Sequence, residues 1–235
     1  MKMFLNGQPA DASDGATIEV TNPANGSLIE TIPSATEDDI KAAVQYAKAA
    51  QPTWAKVPVH EKADILMKFL DLVARDHESL AQTLCAETGK PIVEARAEIS
   101  NIPIAFRAFA ERAKHLYGET IPAGMEAGQE HHILITRREP LGVIAAVIPF
   151  NFPCDLFDQK VAPALLAGNA VIVKPSTDNP LTLCRLTALL GEAGVTPGAI
   201  QIVTGRGSKV GNWLCTNPDV DAITLTGSTE VGIET

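Results

Sequence analysis

Four short segments carry the residue types that bind phosphate or polarise a carbonyl. They are Pro149-Phe150-Asn151-Phe152-Pro153, Lys174-Pro175-Ser176-Thr177, the glycine-rich stretch from Thr204 to Gly211, and Thr226-Gly227-Ser228-Thr229-Glu230-Val231-Gly232. Gly227-Ser228-Thr229 follows an apolar run and opens a helical pattern. Free backbone N–H groups and the positive end of a helix suit a pyrophosphate there, and glycine lets the backbone come close. Ser and Thr also cap helices with no ligand at all. Gly205, Gly207 and Gly211 are spaced GxGxxxG, one residue longer than the common dinucleotide fingerprint, and Gly205 alone could serve a turn.

The segments around them explain why these loops matter. From Leu141 onward, apolar runs alternate with helical patterns: 143–148 then 156–166, 170–173 then 181–193, 200–203 then 208–215, and 222–225 before a helix opening at Ser228. Runs apolar at every position are strands covered on both faces. Repeats of strand, loop and helix predict an α/β fold with a Rossmann-like parallel sheet, whose ligands sit at the carboxyl ends of the strands. All four loops fall at those ends. The sheet is expected to be incomplete at the C-terminus, since only one turn follows Ser228. Residues 1–140 read as a separate, helical region with short strands. A strand over 17–20 and a turn over 22–26 come first. Thr36 then caps a helix with Glu37, Asp38 and Asp39 in its first turn. Further helices are expected over 61–76, 80–87 and 92–117, the last bent near Pro103. A glycine-rich stretch and an exposed strand over 132–138 close this half.

Composition narrows the partners. The 235 residues carry a net charge of −9, and the sequence pI is about 5.0. An acidic surface disfavours nucleic acid and anionic membrane. No apolar run reaches membrane-spanning length, and the first nine residues are not a signal peptide. Cys85, Cys154, Cys184 and Cys215 are scattered single thiols, which fits a cytoplasmic setting. His131-His132 offers no metal site, because adjacent residues at a strand start point to opposite sides.

Taken together, the motifs resemble the aldehyde dehydrogenase superfamily from end to end. Phe4-Leu5-Asn6-Gly7 and Val20-Thr21-Asn22-Pro23-Ala24 are similar to the family's opening, and Glu87-Thr88-Gly89-Lys90-Pro91 with Glu94-Ala95 to its helical signature. The first, second and fourth loops are similar to its cofactor-domain motifs. The resemblance implies that the Asn151 amide stabilises a developing oxyanion. It implies that Val147, Pro149 and Phe150 line the nicotinamide side of a bound dinucleotide. Lys174 would contact the adenosine ribose, Gly207 and Gly211 would lie under the adenine, Gly227 and Ser228 would hold the pyrophosphate, and Val231 would sit beneath it. NAD-preferring relatives carry Glu at the position of Thr177. Without that carboxylate, and with Thr177 as a donor, Lys174 can pair with a 2′-phosphate, helped by Ser176 or Arg206. The resemblance therefore implies NAD or NADP as cofactor with NADP favoured, and these loops resemble those of NADP-linked non-phosphorylating glyceraldehyde-3-phosphate dehydrogenases.

The family's thiol nucleophile and glutamate base lie in Gly-Gln-x-Cys and Glu-Leu-Gly-Gly segments downstream of the fourth loop, and neither occurs in these residues. Cys154 reads as a small buried hydrophobe rather than a substitute. Glu230 reads as a helix-end charge. The expectation is a cofactor-binding portion of an enzyme that oxidises a small aldehyde, inactive alone, acting as a homo-oligomer or with a complementary C-terminal chain. The alternatives are a non-catalytic nucleotide-binding or interaction module, and a scaffold that leaves the nucleotide site unused. Cys154, Phe157 and Asp158 are candidates for the wall of a substrate tunnel.

Overall fold

In the computed structural model, which describes residues 1–234, the chain opens with two hairpins. Strands β1 (Met3–Leu5) and β2 (Gln8–Ala10) are joined by Asn6 and Gly7, both at positive φ (48° and 78°). Two successive left-handed residues give the tight turn that matches strand twist, and Asn-Gly is the pair best suited to it. The second hairpin joins β3 (Thr17–Thr21) to β4 (Leu28–Pro33). Helix α1 (Glu37–Lys56) starts at a capping box. The Thr36 hydroxyl accepts from the Asp39 N–H, and the Asp39 carboxylate accepts from the Thr36 N–H at 2.8 Å.

Two helices expected over 61–76 and 80–87 are one, α2 (Val59–Thr88). The polar stretch His77-Glu78-Ser79 holds neither glycine nor proline, so nothing in the backbone stops the helix. Buried Leu80, Ala81 and Leu84 carry its apolar face onward. Gly89 ends it at φ 72°, where a Cβ would meet Pro23 Cγ at 2.9 Å. Helix α3 (Ile92–Ala113) keeps Pro103 inside and stops four residues short of Tyr117. The strand expected over 132–138 shrinks to a two-residue ribbon, β5 (Thr120–Ile121) with β6 (Leu134–Ile135), exposed on its surface.

The second half follows the alternation: β7 (Val143–Val147), α4 (Pro153–Leu166), β8 (Ala170–Lys174), α5 (Leu181–Ala193) and β9 (Ile200–Ile202). A wide helical turn, Gly207–Gly211, then leads into α6 (Asn212–Cys215), followed by β10 (Ala222–Leu225) and α7 (Thr229–Glu234). The sheet order is β10-β7-β8-β9-β1-β2. Strands β10, β7, β8 and β9 are parallel, and the N-terminal hairpin extends the sheet antiparallel to β9. From β7 the chain steps outward to β8 and β9, then returns to place β10 on the other side of β7. Such a reversal opens a crevice at the carboxyl ends of the strands.

Both faces of the sheet are covered, which accounts for its unbroken apolar strands. On one face Ile144, Ala146, Val171 and Val173 join the helical core that holds Trp54, Phe69, Phe106 and Phe157. On the other, Val143, Ala145, Ala170 and Ile172 pack with Ile40, Ala43, Val44 and Ala47 of α1. The crevice thus stands on a rigid base.

Candidate functional site

The floor of the crevice is a row of three strand ends. Leu225 pairs in register with Val147, and Val147 with Lys174. Backbone bonds just above hold the row: the Ile148 N–H donates to the Lys174 carbonyl at 3.0 Å, and the Thr226 N–H to the Val147 carbonyl at 3.3 Å. Above the row lies a cleft of about 620 Å³. Val147, Pro149, Phe150, Lys174, Ser176, Thr177, Gly207, Gly227, Ser228 and Val231 all line it. An adjoining pocket of about 340 Å³ shares the floor and adds Gly211, Asn212 and Cys215. Of the twelve site residues expected from sequence, eleven line this pair of hollows. Asn151 does not.

Lys174 dominates the electrostatics. It is 4% exposed, and among the described residues its ammonium has neither an ion pair nor a hydrogen-bond acceptor. Burial pushes its pKa down to about 8, with Asp178 opposing the shift weakly. A buried cation facing a cleft without a carboxylate partner favours a ligand that brings oxygen or negative charge. Glycine at 207 and 227 keeps side chains off the opposite walls, and the start of a helical turn at Gly207 leaves N–H groups unsatisfied by the helix. Gly205 serves the turn itself: its φ is 145°, and a Cβ would strike Val210 Cγ2 at 2.6 Å. A dinucleotide fits this set of donors. Ser228 also caps α7, accepting from the Val231 N–H at 3.3 Å, so the plainer reading of that serine holds in part.

The structure corrects the role expected of Thr177. Its hydroxyl donates to the Gly205 carbonyl at 3.0 Å, so its proton is committed and does not reach into the cleft as a donor. The bond instead ties the loop after β8 to the loop after β9. Asn179 ties the loops after β7 and β8 in the same way, donating from Nδ2 to the Phe150 carbonyl at 2.7 Å.

Two lining residues, Ile18 and Glu19, come from β3 of the second hairpin. They reach the cleft because the Thr204 hydroxyl donates to the Pro33 carbonyl and the Ala35 N–H donates to the Thr204 carbonyl at 2.9 Å. Sequence reasoning missed both, and it also missed Leu225, whose place as the last residue of a strand was a usable signal.

Asn151 is exposed, on the loop that leaves the cleft at Phe150 and enters α4. A buried pair holds that loop from below. Lys90 is ion-paired to Glu98, donates to the Asn151 carbonyl at 3.3 Å, and lies 4.8 Å over the Phe152 ring. Glu98 in turn accepts from the Cys154 N–H at 2.8 Å, placing negative charge at the start of α4. Cys154 is fully buried, and burial together with Glu98 and Glu87 pushes its thiol well up, away from a nucleophilic thiolate. Glu87 is buried and clamps the start of α5, accepting from the Leu181 and Thr182 N–H groups at 2.6 and 2.9 Å. Among the described residues no group of three or more His, Cys, Asp and Glu side chains could hold a metal ion, and no helix is long and apolar enough to cross a membrane.

The profile described as "Aldehyde dehydrogenase family" matches residues 10–235. The chain belongs to the aldehyde dehydrogenase family. Among family members, it is 40% identical to the succinate-semialdehyde dehydrogenase (NADP(+)) GabD of Escherichia coli, over 97% of this chain and 47% of the relative. It is 35% identical to the D-glyceraldehyde dehydrogenase (NADP(+)) of Picrophilus torridus, over 99% and 46%. The chain spans about half the length of the curated relatives it matches. Among solved structures, the NADP-dependent glyceraldehyde-3-phosphate dehydrogenase from Bacillus halodurans C-125 complexed with NADP aligns at a TM-score of 0.96 and 36% identity, covering 99% of this chain and 49% of that one. The fold and the family expected from sequence therefore stand.

Proposed function

We propose that this chain forms the dinucleotide-binding portion of an NAD(P)-dependent aldehyde dehydrogenase, with residues 141–235 as the binding unit and 1–140 as its helical support and strand arm. The observation that carries the proposal is Lys174, a buried cation with neither an ion pair nor a hydrogen-bond acceptor among the described residues, set at the centre of a strand-end row beneath glycine-walled loops. When bound, the cofactor supplies a hydride acceptor. Lys174 and Ser176 hold the ribose end, Gly227 and Ser228 receive the pyrophosphate, and Val147, Pro149 and Phe150 line the side where oxidation takes place. Gly207, Gly211 and Val231 flank the adjoining pocket, which suits a flat base.

The Asn151 side-chain amide, on a loop whose backbone Lys90 holds through the Asn151 carbonyl, donates to the aldehyde oxygen as charge builds on it. The nucleophile and the general base come from Gly-Gln-x-Cys and Glu-Leu-Gly-Gly segments, which these 235 residues do not contain. Without such segments the chain binds cofactor and does not turn over. NADP is favoured because Thr177 leaves the ribose side without a glutamate, and relatives named for NADP are among those most similar. Titration with NADP and NAD by calorimetry tests the proposal. Binding of NADP in the micromolar range, weakened by Lys174→Met, is the expected result. No binding of either nucleotide refutes it.

A further inference from the structure

A second pocket, of about 260 Å³, opens between α3 and α4. Asn101, Ile104 and Ala105 line it from one helix, and Asp155, Asp158 and Gln159 from the other. Both triplets are spaced i, i+3, i+4, so each presents a single face. No cationic side chain lines the pocket. Asp158 is 1% exposed, and its Oδ1 is buried without a hydrogen-bond partner among the described residues. Asp155 accepts from Asn101 Nδ2 at 3.3 Å. Burial, then the charges of Asp155 on its own helix and Glu98 on α3, push the Asp158 carboxyl up to about 8. Glu98 has its own cation in Lys90, which is committed to it and to the Asn151 carbonyl.

A buried, unsatisfied carboxyl beside a second carboxylate is costly to leave as it stands. At neutral pH a proton substitutes on Asp158 for the missing cation, and an anion entering the pocket would add to the Asp155 charge. A neutral alcohol could satisfy one oxygen and would leave the charge uncompensated. A primary ammonium supplies both the missing donor and the missing charge. We propose that this pocket receives the ammonium group of a small cationic ligand. Resting on the aldehyde-oxidising reading above, it selects aldehydes that carry an ammonium a few carbons from the carbonyl. The geometry suits this: α4 starts directly after the Asn151 loop, and Asp155 and Asp158 lie in its first two turns. A carbonyl at the Asn151 amide therefore directs the rest of the molecule along α4 toward these carboxylates.

The test compares three probes of similar size on the protein, n-butylammonium, butyrate and 1-butanol, by chemical-shift titration at neutral pH. The ammonium should bind at least about tenfold more tightly than either of the others. Asp158→Asn should weaken ammonium binding by about tenfold, and Asp155→Asn should weaken it in the same direction. Butyrate or butanol binding as well as the ammonium would overturn the proposal, as would ammonium binding unchanged in both variants. An NADP titration on the same samples separates the two claims. If NADP binds and the ammonium does not, the pocket assignment fails alone. If the ammonium binds and NADP does not, the cofactor reading fails and the pocket stands.

Discussion

Replacing Thr177 by glutamate should reverse the preference for phosphorylated cofactor. Thr177 is half-buried on the cleft wall, its hydroxyl tied to the Gly205 carbonyl. A carboxylate there would face the 2′-substituent of the adenosine ribose. Two unit charges about 4 Å apart repel by about 1 kcal/mol in bulk water and about 4 kcal/mol near a protein surface. A half-buried wall takes a middle value, about 2 kcal/mol, or roughly 30-fold in affinity for NADP. The same substitution breaks the Gly205 tie, and the loosened loops should weaken both nucleotides. Thr177→Val isolates that second effect, at about 0.5–1.5 kcal/mol of stability. The decisive quantity is the ratio of the two dissociation constants, in which loop loosening cancels. Calorimetry at two ionic strengths should show the NADP penalty shrinking with salt. If Thr177→Glu leaves the ratio where it was, the ribose does not lie against this loop.

Three further outcomes follow from the same geometry. Lys174 has its pKa lowered to about 8 in the folded protein against an ordinary 10.5, so NADP affinity should hold below about pH 8 and fall above it. Folding stability should rise between those two values, where the unfolded chain binds the extra proton, and Lys174→Met should abolish both trends in titrations and melts across pH. Glu87→Gln should cost about 1–3 kcal/mol in denaturant unfolding, because one amide oxygen cannot serve both the Leu181 and Thr182 donors. Lys90→Met leaves Glu98 buried without its cation and should destabilise by about 3–5 kcal/mol; an unchanged urea midpoint would show that the pair does not hold the Asn151 loop.

Much of this molecule is legible along the chain. Helix α5 and strand β10 begin and end where their patterns predict, because Pro180 and Gly194 bracket one and both faces of the sheet are apolar around the other. Pro153 at the first turn of α4 was a readable start, and the periodicity alone placed that start three residues late. The false break in α2 has a different cause: a polar stretch ends an apolar stripe without ending a helix, when no glycine or proline interrupts the backbone. Residues that depend on distant partners stayed hidden. Glu19 enters the cleft only through bonds between Thr204 and the end of β4, which lie 171 residues apart. The burial of Asp158, and the commitment of the Thr177 proton, are likewise matters of packing that no local pattern encodes.

Strand β10 is the least shielded of the four parallel strands, half-buried at every position while β8 is buried throughout, and among the described residues it has a neighbour on one side only. Yet it contributes Leu225 to the floor, and the loop and helix that follow contribute Gly227, Ser228 and Val231 to the wall. A nucleotide gripping those residues braces the loosest margin of the sheet from its open end. The energy of ligand capture and the energy that keeps this border strand from peeling away are then the same quantity, drawn from one set of contacts.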